Sequence, residues 1–500
     1  MNQRIRRLTV ALLALFAVLF AQLTVWQVAR QDSLNADPRN NRITEREFDQ
    51  PRGTIVTADG QVVALTEKID RAVNGSSRFD WQRTYPSGDL YAGITGYYTL
   101  GFGSTQLERT MNDVLVGKTP QQQLEATGNL FTRQDLTGSV QLTIDGRLQL
   151  AAKRALGDKE GSVVVMDPAT GAVRAMWSNP SFDPNLVATH DAGAANEELN
   201  RLNADARKPL LANAYQERYM PGSTFKIVTT TIGLETGTIT LESKFKNSRS
   251  WTPPNTKKPI RNYGKKVCGG DLAEVFRRSC NIPFAQTAVK VGPDLMTQGV
   301  SRFGFDHRIA FDLPGAAAST FGGTAKDFDG SLALLAIHGF GQGQVQVTPL
   351  HMALIAGAVA NGGTMMVPHV VQETRTHSGA PITVTKPEPW RTAMAPTTAQ
   401  TLTQLMIGVV NNGTASCCMR LNNGIQAAAK TGTAQLNPEG QTQRSHAWIT
   451  TFAPAAAPKL VVTVFVKGVN DTVSASTGGH LAGPIARDIL NVALALPEYK

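Results

Sequence analysis

The chain has 500 residues, with 49 Lys and Arg against 39 Asp and Glu, for a formal charge of +10. Its 42% apolar and 18% charged content is globular and excludes a disordered chain, and four cysteines exclude a disulfide-built scaffold. The length leaves room for roughly two to four domains, and the positive balance alone is compatible with nucleic acid, an anionic membrane surface or nothing specific.

Arg4, Arg6 and Arg7 precede an uncharged run from Leu8 to Val28 that closes at Arg30. About 20 apolar residues span a bilayer core. No A-x-A cleavage pattern occurs between Ala14 and Ala29, so a retained transmembrane helix (8–28) is expected behind a short tail (1–7). Three arginines before the run and one after it place the N-terminus in the cytoplasm and residues 31–500 outside, in an oxidising compartment.

Residues 31–50 read as a polar linker. From Pro51, PRGTIVTADGQVVALTEK predicts two short strands around the turn Ala58-Asp59-Gly60. Gly and Tyr dominate 85–104, which predicts loops, and Leu107, Met111 and Leu115 predict a helix over 105–118. SVQLTID (139–145) alternates as a strand, Gly146–Leu156 reads as a helix, and 161–178 as a hairpin across its DPATG turn. The middle is mainly helical, at Lys226–Leu234, Gly330–His338 and Leu350–Ala360. Strands return at Gln426–Gln435, His446–Phe452 and Lys459–Val466, before a last helix at Pro484–Leu496. This order predicts an α/β domain whose sheet joins distant parts of the chain.

Phosphate loops, dinucleotide fingerprints, G-x-S-x-G elbows and H-E-x-x-H are absent, and the eight histidines show no metal-ligand spacing, so neither cofactor nor metal is expected. No dense basic run interleaves with aromatics, which argues against nucleic acid. What remains is a trio: Ser223 and Lys226 in MPGSTFK (S-x-x-K), Ser279 and Asn281 in RRSCN (S-x-N), and Lys430, Thr431, Gly432 and Thr433 in AAAKTGTAQ.

Residues three apart share a helix face, so the Lys226 amine can reach the Ser223 hydroxyl. A serine needs a base, and a desolvated lysine beside a second cation, here Lys430, is kept partly neutral and can serve. KTGT lies on a predicted strand whose Gly allows close approach and whose edge can pair with an extended peptide. The Thr431 and Thr433 hydroxyls would hold a terminal carboxylate, and the backbone N–H groups of Ser223 and Thr433 would form an oxyanion hole. A second S-x-x-K, Ser243–Lys246, lies in a strand-like stretch that would point its two side chains to opposite faces, and it is set aside.

With these motifs in this order, the chain resembles the class B penicillin-binding proteins, monofunctional D,D-transpeptidases of bacterial cell-wall synthesis. PRGTIVTADGQVVA, GSTQLER, GSVVVMDPATGAVRAMWSNPSFDPN, GFGQGQVQVTPLHMALIAGAVANGG and HAWITTFAPA are similar to that family's other segments. The resemblance implies an α/β (α+β) penicillin-binding transpeptidase fold (159–500) with a central antiparallel sheet flanked by helices. An elongated mixed pedestal (31–158), similar to a dimerisation domain, would precede it. Ser223 would attack the penultimate D-Ala of a D-Ala-D-Ala stem peptide with Lys226 as base. Ser279 would relay a proton between the two lysines, and Asn281 would bond the substrate amide. β-Lactams would acylate Ser223. A polytopic glycosyltransferase and other division or elongation proteins would be the partners.

Ser279 and Asn281 should face the cleft together, which points Cys280 away from it. A Cys268–Cys280 disulfide bracing the motif is expected, favoured by the compartment. Adjacent Cys417 and Cys418 are not expected to bridge each other without strain and are read as free or unexplained. A D,D-carboxypeptidase, a serine β-lactamase or a β-lactam sensor would share the trio, although no deacylating carboxylate stands out. A non-catalytic morphogenesis scaffold is opposed by intact Ser223, Lys226 and Lys430.

Overall fold

The computed structural model describes residues 2–25, 48–70, 79–127, 135–437, 441, 444–474 and 476–499. An isolated helix, Asn2–Thr24, carries a stretch from Gln3 long and apolar enough to cross a membrane, and none of it is buried against the rest of the chain. Gln27, Arg30 and most of the linker at 31–50 lie outside the described residues.

The first globular part is organised by a mixed sheet. Ile55–Val56 pairs antiparallel with Val62–Lys68 across the expected turn and parallel with Ser139–Leu142, and Trp81–Thr84 pairs with Val62–Lys68. Two strands from far along the chain, Val371–Arg375 and Pro381–Val384, complete it beside Ser139–Leu142. Under the sheet, Glu108 is fully buried between two arginines. Arg52 Nε lies 2.5 Å from Oε2, Arg83 Nε lies 2.7 Å from Oε1, and the Tyr85 hydroxyl donates to Oε1 at 3.2 Å. Burial raises the Glu108 pKa, but the two guanidiniums outweigh it and the carboxyl sits below its ordinary range. Arg52, Arg83, Tyr85 and Glu108 are thus tied into one buried network. Gly53 is required beside it, because a Cβ there would meet the Gly138 carbonyl at 1.6 Å.

The helix expected over 105–118 is two short helices, Gln106–Thr110 and Asn112–Leu115. Met111 leaves helical geometry between them (φ −102°, ψ 14°), and the Leu115 carbonyl is free to accept from Gly53 N. The loops expected over 85–104 contain two short helical turns, Gly88–Tyr91 and Ala92–Thr95, and a minimal strand pair.

The second part is built on a five-stranded antiparallel sheet. Its strands are β1 (Gly161–Met166), β2 (Val173–Asn179), β3 (Ala428–Gln435), β4 (Ser445–Ala453) and β5 (Leu460–Val466), in the order β3-β4-β5-β1-β2. Every residue of β1, β4 and β5 is buried, so the sheet is covered on both faces and these strands read as apolar runs. Gly146–Leu156, begun by Asp145 accepting from the N–H groups of Arg147 and Leu148, packs on β2 and on the C-terminal helix. A helix buried along nearly its whole length, Pro349–Ala360, packs on β1, β4 and β5 and is capped by Thr348, with Pro349 at its first position.

The last helix runs from Gly478 to Ala495, six residues earlier than the sequence suggests, and carries Pro484 inside it. Its glycine-rich start is a docking surface: a Cβ at Gly478 would meet the Trp448 carbonyl at 2.2 Å and the Gly432 carbonyl at 2.3 Å.

Candidate active site

Ser223 lies in a single 3-10 turn, Gly222–Phe225, that runs directly into helix α1 (Lys226–Glu235). Gly222 has φ +53°, and a Cβ on it would meet the Thr433 carbonyl at 2.6 Å; one on Gly432 would meet the Pro221 carbonyl at 2.7 Å. The two glycines let the Ser223 turn and β3 lie backbone against backbone. Trp448 on β4 fastens this contact by donating from Nε1 to the Met220 carbonyl at 2.9 Å.

Ser279 and Asn281 occupy the tight turn between the helices Leu272–Arg277 and α2 (Ile282–Val291). Ser279 has φ +58°, a left-handed conformation that costs a non-glycine residue energy and persists only where the surroundings enforce it. Here Cys280 N donates to the Val275 carbonyl, and a disulfide joins Cys280 to Cys268 on the strand Cys268–Asp271, with Cα atoms 5.8 Å apart.

The two lysines converge on this turn. Lys226, fully buried, reaches the Ser279 carbonyl at 2.7 Å, the Ser279 Oγ at 3.3 Å and the Asn281 Oδ1 at 2.9 Å. Lys430, also fully buried, donates to the same Ser279 Oγ at 2.8 Å and to the Thr431 carbonyl at 3.1 Å. The Ser279 hydroxyl therefore sits between two amines that lie beneath rings, Lys226 5.3 Å from the Phe284 centroid and Lys430 5.5 Å from that of Phe276. Burial pushes Lys226 well below its ordinary pKa, and the neighbouring Lys430 pushes it further the same way. Burial alone brings Lys430 down to about 7. Desolvation disfavours the charged amine, and among the described residues no carboxylate beside the pair offsets it.

These residues form the floor of a cleft of about 420 Å³, whose lining includes Ser223, Ser279, Asn281, Thr431 and Thr433. The expected pairing of Lys226 with Ser223 along one helical turn is replaced, in this structure, by contacts from Lys226 to the S-x-N turn. Asn281 is engaged at both ends, with Oδ1 toward Lys226 and Nδ2 donating to the Arg261 carbonyl at 3.1 Å. The Thr431 hydroxyl meets that of Thr414 at 2.5 Å, and Thr433 Oγ1 accepts from Gly478 N at 3.3 Å. Gly432 brings the Pro221 backbone close, as described above.

Two contributors escaped the sequence reading. Asn262, almost fully buried, accepts at Oδ1 from the N–H groups of Asn281 (2.8 Å) and Ile282 (3.2 Å). From Nδ2 it donates to the carbonyls of Ser248 (2.9 Å) and Lys266 (3.2 Å). It caps α2 and ties the S-x-N turn to the loop before it, with no motif to announce it. Thr414 is the other. Cys417 and Cys418, expected to be free, are bonded to each other. Their Cα atoms are 3.8 Å apart in the turn-rich segment after the helix Pro396–Asn412, which carries Thr414. All four cysteines are thus in disulfides.

A family model for the penicillin binding protein transpeptidase domain matches residues 161–491, and one for the penicillin binding protein A dimerisation domain matches residues 52–140. The chain belongs to the penicillin-binding protein transpeptidase family. It is 37% identical to the peptidoglycan D,D-transpeptidase PbpA of Mycolicibacterium smegmatis and 36% identical to PbpA of Mycobacterium tuberculosis, in each case over 99% of both chains. Among solved structures it is similar to penicillin-binding protein A from M. tuberculosis as a ceftriaxone acyl-enzyme complex. That likeness has a TM-score of 0.82 and 34% identity, over 90% of this chain and 99% of that one. The modest length, the S-C-N form of the middle motif and the Ala-rich composition point to the same relative, penicillin-binding protein A of actinobacteria.

Proposed function

We propose that the protein is a peptidoglycan D,D-transpeptidase that works through an acyl-enzyme on Ser223. The observation that carries this reading is the Ser279 hydroxyl held between two buried, carboxylate-free amines at the floor of a cleft that Ser223 enters. With Lys226 neutral and Lys430 charged, the hydrogens of the Ser279 hydroxyl and the Lys226 amine are all engaged, as is the amine lone pair. Lys430 donates to Ser279 Oγ, Ser279 O–H donates to the Lys226 lone pair, and the two Lys226 N–H bonds point at the Ser279 carbonyl and Asn281 Oδ1.

When the Ser279 hydroxyl turns its hydrogen toward the substrate, the Lys226 lone pair is freed and takes the Ser223 proton as Oγ attacks the penultimate D-Ala carbonyl. The oxyanion is met by the N–H groups of Ser223 and Thr433. The proton returns through Ser279 to the leaving D-Ala amine as the peptide bond breaks. An amine of a neighbouring stem attacks the ester, loses its proton to the same base and leaves Ser223 free. Asn281 presents its remaining amide hydrogen to the donor, and the Thr431 and Thr433 hydroxyls beside Lys430 hold the terminal carboxylate. β-Lactams acylate Ser223 as analogues of the dipeptide. No carboxylate lines the cleft among the described residues, which disfavours rapid hydrolysis of the ester and so a β-lactamase.

The apolar N-terminal helix anchors the protein, and Arg4, Arg6 and Arg7 keep its N-terminus in the cytoplasm, so the catalytic part faces the wall. A membrane-embedded glycosyltransferase that supplies glycan strands is the expected partner. The test is acyl transfer from a D-Ala-D-Ala pentapeptide donor to an added amine acceptor. Cross-linked product that disappears with penicillin supports a transpeptidase, whereas D-Ala release with no acceptor product makes the protein a carboxypeptidase.

A further inference from the structure

The motif strand β3 is the edge of its sheet, so one side of its backbone is free for pairing. Along a strand, the N–H and C=O of every second residue point to the same side. Gln435 presents both of these groups outward, because both are met by the side-chain amide of Gln342. In the orientation that satisfies both ends, the Gln342 amide nitrogen donates to the Gln435 carbonyl at 3.2 Å and its oxygen accepts from Gln435 N at 3.0 Å. Thr433 and Thr431 share that edge by parity. The Thr431 carbonyl is taken by Lys430. Of these three residues, this leaves Thr433 as the one with neither backbone group taken by a side chain.

Gln342 is not a loose surface residue. It is flanked by Gly341 (φ +77°) and Gly343 (φ +76°), and the Gly341 carbonyl accepts from Gly222 N at 2.9 Å. A Cβ at Gly341 would meet the Gly222 carbonyl at 2.1 Å, and one at Gly343 would meet the His338 ring at 2.9 Å. The G-Q-G segment is therefore pinned to the turn that carries Ser223. It projects one amide, with the donor–acceptor pattern of a peptide group, onto the edge two residues beyond Thr433.

We infer that Gln342 is a specificity-determining residue that caps the substrate-pairing edge of β3 opposite Gln435. This rests on the transpeptidase reading above. An acyl donor whose acylating D-Ala exchanges bonds with Thr433 in an antiparallel ladder would bring the residue two before it opposite Gln435. Gln342 already holds that place. The donor thus pairs with the strand through one residue, and its chain leaves the edge there, so recognition of the rest of the stem falls to other walls of the cleft.

The experiment uses the full chain in detergent and a series of D-Ala thioester donors carrying zero to three residues ahead of the acylating D-Ala. Acylation rate constants are read as ratios to the one-residue donor on the same protein, so a fraction of unfolded protein cancels. In the wild type the ratio stays flat beyond one residue. In Gln342→Ala the two- and three-residue donors gain about threefold or more, as the freed Gln435 groups pair with the longer chain. Gln342→Asn, one methylene too short to reach, behaves as Gln342→Ala. The same flat profile in all three proteins, or a wild type that already gains with the second residue, overturns the inference while leaving the transpeptidase reading intact. A wild type acylated by no donor and by no penicillin overturns both.

Discussion

Replacing Lys430 by Gln tests the division of labour between the two lysines. Their ammonium nitrogens lie 3.3 and 2.8 Å from one hydroxyl, so they are at most about 6 Å apart. At an effective dielectric constant of about 20, unit charges at that separation repel by roughly 3 kcal/mol, or about two pKa units. Burial is the larger cause of the low Lys226 pKa and survives the substitution; the contribution of Lys430 does not. The Lys226 pKa should rise by about two units, and the base would be protonated over a wider range of pH. The assay is the pH profile of acylation by a penicillin. Its acidic limb should move up by about two units in Lys430→Gln and stay near its original place in Lys430→Arg, which keeps the charge. A uniform loss of rate with the limb unmoved would refute the assignment of Lys226 as a base tuned by Lys430.

Glu108→Ala should cost about 3–5 kcal/mol, because it leaves Arg52 and Arg83 buried without a counter-charge, and the denaturant midpoint of unfolding measures this. The double substitution Cys268→Ser with Cys280→Ser should lower stability by about 3 kcal/mol from the released loop of 12 residues' separation, and should slow acylation by loosening the strained Ser279 turn; thermal unfolding and penicillin acylation rates read the two effects separately. Burial holds His338, His351 and His446 at about 4, so the unfolded chain binds more protons than the folded one between about 4 and 6.5. Stability should therefore fall as pH drops through that window. Asp312, pushed up to about 6 by burial, works in the opposite sense on the way down from 6. The melting temperature followed from pH 7 to 4 should decline, less steeply in His351→Gln.

The S-x-x-K, S-x-N and K-T-G motifs were legible because each is contiguous and its local geometry simple, a turn into a helix for Ser223 and Lys226 and a strand for Lys430. Gly146–Leu156 was equally legible, with Asp145 to begin it and Gly157 to end it. What stayed hidden depends on distant partners. Past the break at Met111 the Leu115 carbonyl accepts from Gly53 N, far back in the chain, and the early start of the last helix docks against Trp448 and Gly432. The strands Val371–Arg375 and Pro381–Val384 join a sheet more than 200 residues earlier in the chain, as Arg375 pairs with Ser139. Asn262 and Gln342 carry no periodicity or spacing, and their roles exist only once the S-x-N turn and the β3 edge have been brought beside them. Cys417 and Cys418 depart from the expectation for adjacent cysteines and are bonded to each other in a turn-rich segment.

The central claim is that Ser223 is the acylated nucleophile. Intact-mass analysis followed by peptide mapping after exposure to a penicillin tests it directly. One drug moiety should remain on the peptide that contains Ser223, and none should be found in Ser223→Ala. An adduct on another residue, or hydrolysed penicillin accumulating with no adduct on Ser223, would contradict the account.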